Sequence, residues 1–252
     1  MIFKKQIKIS LKSLNRKNIN LYKKKKIIAI IPARSGSKRL INKNKRLING
    51  KPLISWTIES ALSSKLLDEI FVSTDSNRIK NISIKYGLKI PFMRPSIYAK
   101  DNSPTYQAII HTLNKFNSLG KKFDYLVLLE PTSPLRKKND IDRAIKKIID
   151  NNWAKALISL GKIHLEHPKN IKKINLMNLT SKYINFNKFE DAYFPYGVIY
   201  ISKVSSYYQN KTFYTNKTIP YIIDRWQNYE IDDFLDFKIV ESIMKMKRIK
   251  NG

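Results

Sequence analysis

Ile27-Ile28-Ala29-Ile30-Ile31-Pro32-Ala33-Arg34-Ser35-Gly36-Ser37-Lys38-Arg39-Leu40, running on through Asn42-Lys43-Asn44, is the stretch whose reading decides the fold. Five apolar residues, mostly β-branched, predict a strand buried on both faces. Pro32 ends it, having no N–H to give to a ladder. A small Ser-Gly-Ser turn follows and carries Arg34, Lys38, Arg39 and Lys43. Backbone N–H groups of such a loop can face an anion while the cationic side chains close over it. That is the chemistry of a triphosphate pocket. The loop is neither a G-x-x-x-x-G-K-[ST] phosphate loop nor a G-x-G-x-x-G dinucleotide turn. Spacing alone fits equally a surface loop of a lysine-rich chain.

Downstream, strand and helix patterns alternate. Asn49-Gly50 signals a turn, and Lys51-Pro52 opens a helix whose Leu53, Trp56, Thr57, Ser60 and Ala61 share a buried face. Glu69–Ser73 reads as a strand, and Asp75 is expected to cap the helix after it, with Ser76 the other candidate. Lys89-Ile90-Pro91-Phe92-Met93 reads as a third short strand. Asp101-Asn102-Ser103-Pro104-Thr105 begins a helix with Ile109, Ile110 and Leu113 inward. Tyr125–Leu129, the most hydrophobic strand, belongs in the sheet centre. It runs into Glu130-Pro131-Thr132-Ser133-Pro134-Leu135-Arg136, where two prolines enforce a non-helical turn. In open α/β sheets ligands sit beyond such carboxyl ends. Asp140–Asn151 shows a helical apolar face and Ala156–Ser159 a further strand. The alternation predicts an α/β fold: right-handed crossovers and a mostly parallel, twisted sheet covered by helices on both faces.

Periodicity weakens from Gly161 to Asp191. His164 and His167 cluster there, but no further His or Cys stands nearby to complete a zinc site. Tyr193–Ile201 resumes a strand. In Tyr229-Glu230-Ile231-Asp232-Asp233, extended alternation would put Glu230 and Asp232 on one side, a plausible hard-cation site. Asp232 or Asp233 could instead cap the last helix, whose Phe234, Phe237, Val240, Ile243 and Met244 face inward.

The chain of 252 residues suits one α/β domain over 27–252, preceded by a basic, flexible arm over 1–26 and including an excursion over 161–196. The formal net charge is +30, and ten of the cations lie in residues 1–26 without an acid to offset them. Such a charge suggests a polyanion, yet Lys, Ile and Asn all have AT-rich codons and no nucleic-acid motif is present. A nucleic-acid partner is therefore not expected. There is no cysteine, no apolar run long enough to span a bilayer, and no signal-peptide pattern. A cytoplasmic location is expected.

The loop Ile-Pro-Ala-Arg-Ser-Gly-Ser-Lys with Asn42-Lys43-Asn44 resembles the signature of the acylneuraminate cytidylyltransferases. Further agreements follow in order: Val72-Ser73-Thr74-Asp75, Arg94-Pro95, Pro131-Thr132-Ser133-Pro134-Leu135-Arg136, the Gly197-to-Tyr200 strand and the late acidic pair. The resemblance runs from about Ile27 to the C-terminus. It implies CTP and a nine-carbon 2-keto sugar acid as substrates, a CMP-sugar and pyrophosphate as products, and Mg²⁺ as cofactor. Arg34, Lys38 and Lys43 would neutralise the triphosphate. Ala33, Arg34, Asn44, Arg94, Ser103 and Thr105 would hold the nucleotide. Glu130, Ser133, Lys169, Tyr200, Phe213 and Tyr214 would face the sugar, and Glu230 with Asp232 would hold the metal. The excursion would exchange between subunits of a homodimer, with Lys169 reaching the partner's sugar. Departures from the pattern are Glu130 for the usual Gln, Tyr196 for Asn, and no Arg within Asn185–Lys188. The alternatives are another sugar nucleotidyltransferase, such as a deoxy-octulosonate cytidylyltransferase, and a non-catalytic basic relative that binds nucleotide or RNA.

Overall fold

The computed structural model of the chain describes residues 22–163, 172–174, 181–183 and 192–250. The arm before residue 22 and His164, His167 and Lys169 lie outside the described residues.

Strand β1 (Ile27–Pro32) has its first five residues fully buried. Successive side chains point to opposite faces, so both faces of the sheet are covered. Parallel to β1 lie β4 (Glu69–Ser73) on one side and β5 (Tyr125–Leu128) on the other. Next comes β9 (Tyr193–Lys203), antiparallel to β5 and to β6 (Ala156–Lys162), and β10 (Thr218–Ile223) closes the sheet parallel to β6. The order is β10-β6-β9-β5-β1-β4, six strands with β9 alone reversed. The expected mostly parallel sheet is present.

Asn49 and Gly50 both have positive φ (47° and 82°) and turn the small hairpin of β2 (Leu47–Ile48) and β3 (Lys51–Pro52). This is the backbone that Asn-Gly favours in two-residue hairpins. Helices α1 (Leu53–Ser63), α2 (Asn77–Lys85), α3 (Thr105–Ser118), α4 (Asp140–Asp150), α5 (Val204–Asn210) and α6 (Phe234–Lys250) follow their strands. A two-stranded antiparallel ribbon, β7 (Lys172–Ile174) with β8 (Ser181–Tyr183), lies within the 161–196 excursion. A second cluster of buried residues joins Leu40, Ile48 and Leu53 to Ile231, Phe237, Val240 and Met244. It fastens α6 beside the loop after β1. No helix among the described residues is long and apolar enough to cross a membrane.

Two expected strands are corrected. Residues 89–93 form no ladder. Pro91 lacks an N–H, and the apolar side chains pack instead: Phe92 lies 4.5 Å from the Phe71 ring and 5.2 Å from Phe116. Residues 229–233 are likewise irregular, tied in by the Ile231 N–H donating to the Thr132 carbonyl at 2.8 Å.

Candidate active site

The cationic loop leaves β1 at the carboxyl edge of the sheet, where the Ala33 N–H continues the ladder to the Ser73 carbonyl at 2.9 Å. Both its ends are anchored by side chains. Asp75 accepts the Ser35 N–H at 2.8 Å and the Ser35 hydroxyl at 2.5 Å. Asn44 donates through Nδ2 to the Arg34 carbonyl at 3.3 Å. The helix-capping role expected of Asp75 falls instead to Ser76, which occupies the N-cap and accepts from the Ile79 N–H. Asp75 stands one residue before that position, and its carboxylate faces the loop.

Each of the four cations between these anchors meets an acid from elsewhere. Asp101, in the lead-in to α3, takes Arg34 Nη1 and Lys38 Nζ at 2.7 Å each. These two cations hold the Asp101 carboxyl below the usual range. Asp232, in the lead-in to α6, takes Arg39 Nη1 at 3.1 Å and Lys43 Nζ at 3.4 Å. Lys43 also donates to the Ile231 carbonyl at 2.7 Å. Arg34, Lys38, Lys43 and Asp232 thus lie along one loop although nearly 200 residues of sequence separate its ends from Asp232 (|i−j| 189 for Lys43). The pairs of Arg34, Lys38 and Arg39 are largely exposed, and exposed pairs are weak, so a polyanion can displace them, whereas Lys43 is mostly buried.

The expected nucleotide contacts divide. Ala33 is fully buried and its N–H is spent on β4. Arg94 is buried, with Nη2 donating to the Ser73 carbonyl at 2.7 Å and Nε to Ser73 Oγ at 3.0 Å. Burial lowers its pKa to about 10. Ser103 donates to the Ile97 carbonyl at 2.8 Å. Thr105 is exposed as the first residue of α3, whose N-cap is Pro104.

At the far end of β5 the surroundings change. Glu130 and Glu230 both press against Gly197 of β9: a Cβ there would lie 2.8 Å from Glu130 Cγ and 2.9 Å from Glu230 Oε1. Only glycine fits. Glu230 Oε1 accepts from the Gly197 N–H and from Ser133 Oγ at 2.8 Å. Burial, and then the nearby Glu230 charge, push the Glu130 carboxyl up to about 7. Arg136 locks the corner, donating to the carbonyls of Glu130 (2.8 Å) and Val198 (2.7 Å) and to Thr57 Oγ1 (2.9 Å). Tyr200 faces this corner, and burial raises its phenol. The expected Phe213–Tyr214 wall splits. Phe213 packs into the core against Tyr207 and Tyr200 (ring centres 4.9 and 5.4 Å), whereas Tyr214 is 54% exposed.

The acidic pair expected to share a face turns to different partners, because the segment carrying it is not a strand. Glu230 is spent on Ser133 and Gly197, and Asp232 faces the cations. Among the described residues no three His, Cys, Asp or Glu side chains gather into a metal site. Asp232 alone still fits Mg²⁺, which is usually held by one or two carboxylates together with substrate phosphates. It is 57% exposed, and its side-chain partners are exchangeable cations. Asp233 caps α6, accepting the Asp236 N–H at 3.0 Å.

Sequence reasoning passed over Asp101, Arg136 and Gly197 as site builders. Only Arg136 carried a signal, as the cation closing a proline-framed turn at a strand end.

Comparison with known proteins accords with this geometry. A family model described as "Cytidylyltransferase" matches residues 28–249. The CMP-N,N'-diacetyllegionaminic acid synthase of Legionella pneumophila is 36% identical over 232 residues, covering 88% of this chain and 98% of that protein. The N-acylneuraminate cytidylyltransferase of Escherichia coli is 32% identical over 88% of this chain, which spans 53% of that longer relative. A solved CMP:2-keto-3-deoxy-manno-octonic acid synthetase complexed with CTP superposes with a TM-score of 0.67 at 19% identity, covering 88% of this chain and 99% of its own. That likeness speaks for the fold. The chain belongs to the cytidylyltransferase family.

Proposed function

We propose that the protein joins CMP from CTP to the anomeric hydroxyl of a nine-carbon 2-keto sugar acid of the sialic or legionaminic type, releasing pyrophosphate. The observation that carries this reading is the meeting of Lys43 and Asp232 at the end of a cation-bearing loop. The activities of the Legionella and Escherichia relatives supply the substrate class.

In the proposed reaction the sugar hydroxyl oxygen bonds to the α-phosphorus, the bond from that phosphorus to the bridging oxygen breaks, and pyrophosphate departs with the electron pair. The hydroxyl proton passes to solvent. Such a displacement needs alignment and charge stabilisation more than covalent participation. Arg34 and Lys38, released from Asp101 by the incoming phosphates, neutralise the tail. Lys43, only 14% exposed, meets the charge that builds on the leaving group. Asn44 holds the loop in shape. Asp232 is the residue that would hold Mg²⁺, and the bound ion would screen phosphate charge and ease ionisation of the attacking hydroxyl. Glu130, Tyr200 and Tyr214 would face the sugar.

The resemblance extends the reading to a homodimer in which the 161–196 excursion and Lys169 complete the partner's site, which light scattering tests. For the chemistry, Lys43→Ala should lower kcat for pyrophosphate release by about a hundredfold, the scale of removing one preorganised charge contact. A near-normal rate would refute the assignment.

A further inference from the structure

On the outer side of the cationic loop lies an open cleft of about 760 Å³ lined by Arg39, Asn42, Lys45, Arg46, Arg78 and Phe234, with Leu40 and Ile41 completing it. We propose that this cleft is a second phosphate-binding site, separate from the place that holds the reacting nucleotide, and that it takes pyrophosphate or an equivalent short polyphosphate tail. Naming pyrophosphate as the natural occupant rests on the proposed reaction; the anion chemistry of the cleft does not.

Three observations converge. Arg34, Lys38, Arg39 and Lys43 are each paired with Asp101 or Asp232. Lys45, Arg46 and Arg78, by contrast, have no carboxylate partner among the described residues. Of the acids beside Phe234, Asp236 accepts from the Asp232 and Asp233 N–H groups and Asp233 accepts from the Asp236 N–H, while Asp232 takes Arg39 and Lys43. The cleft therefore gathers three cations that no described carboxylate neutralises.

The Arg46 guanidinium is also held in place without being neutralised. It lies over the rings of Phe234 and Phe237, 5.6 and 5.7 Å from their centres. Stacking restrains the planar group, and its N–H donors suit two phosphate oxygens at once. Arg78, finally, stands in the first turn of α2, which has no acid there. A cation at a helix N-terminus opposes the helix dipole. The position is locally unfavourable and finds its use in the charge it adds to the cleft. Arg39 belongs to both sites, since it lines the cleft and reaches Asp232.

Calorimetric titration of inorganic pyrophosphate into the whole protein, with and without saturating CTP, tests the proposal. Expected are two equivalents bound alone and one that persists under CTP. In the Arg46→Gln/Arg78→Gln double variant the persistent equivalent should weaken by about tenfold or more, as the loss of charge-assisted bonds implies. Lys43→Ala should keep it. A parallel titration of CTP separates the sources. Two CTP equivalents, one lost in the double variant, identify the tail of a second nucleotide, and both pyrophosphate equivalents are then displaced by CTP; one CTP equivalent beside a persistent pyrophosphate identifies free pyrophosphate. Arg78→Gln removes an unfavourable helix charge, so an unchanged or raised Tm accompanies real loss of binding. A single pyrophosphate equivalent fully displaced by CTP would overturn the proposal. So would a persistent site indifferent to the double substitution. If the protein binds pyrophosphate in this way yet makes no CMP-sugar, the proposed reaction fails while the cleft stands.

Discussion

Two neighbouring stretches of the sheet's carboxyl edge are built on opposite principles. Over β1 the charges are mostly exposed and exchangeable: Asp101 and Asp232 each hold two loop cations, of which only Lys43 is mostly buried, and can give them up to a stronger anion. Over β5 and β9 the charges are packed and committed. Arg136 spends its donors on Thr57 and on the carbonyls of Glu130, Gly197 and Val198, and Glu230 spends an oxygen on Ser133 and Gly197. A wet site can accept a triphosphate without reorganising a core. A packed one fixes shape, and it makes any change of charge a change of stability.

Substitutions that cross this divide should behave accordingly. Asp232→Asn acts on the exchangeable end and should cut kcat for pyrophosphate release by about a hundredfold with little change in Tm; a Tm collapse instead would place Asp232 among the packed charges. Gly197→Ala acts on the packed end. The new methyl would lie within 3 Å of both Glu130 and Glu230, and overpacking of this kind costs about 1–3 kcal/mol, read as a lower urea midpoint.

Glu130→Gln should show itself through pH. In the fold the Glu130 carboxyl titrates near 7, against an ordinary 4.5. Between those values the folded protein therefore holds a proton that the unfolded chain has released. Stability falls as pH rises through that window, because the unfolded state binds fewer protons there. The amide removes the penalty, so the variant should gain Tm at pH 8 and gain little at pH 5, by about 2–4 °C for each kcal/mol recovered. Equal Tm shifts at both pH values would mean that the carboxyl is not held protonated. Smallest of all, Asp101→Asn should tighten CTP binding only severalfold, because it removes an exposed competitor for Arg34 and Lys38. Weakened binding would show that Asp101 positions those cations rather than occupying them.

The same divide explains what the sequence could show. The phosphate end is written in one contiguous run, Pro32 to Asn44, so strand, turn and cations were legible together. The hairpin at Asn49-Gly50 was legible for the same reason. The packed end is assembled from the end of β5, the middle of β9 and the segment before α6. Glu130 could be noticed as a carboxylate, but its approach to Glu230, 100 residues away, depends on β9 inserting antiparallel between β5 and β6. Alternation in 229–233 suggested a shared face for Glu230 and Asp232. The bond from Ile231 to Thr132 shapes that segment instead. Phe213 and Tyr214 are adjacent in sequence, and only tertiary packing sends one into the core and leaves the other exposed. Asp75 and Ser76 both suited a cap; the neighbouring Ser35 N–H decided between them.

The most direct measurement is turnover of the intact protein with CTP, Mg²⁺ and a panel of nonulosonic acids, with pyrophosphate quantified and the sugar product weighed by mass spectrometry. The predicted result is a CMP-linked nonulosonate formed one-for-one with pyrophosphate, with CTP preferred over UTP and dTTP. No pyrophosphate from any sugar in the panel, or a preference for UTP or dTTP, would contradict it.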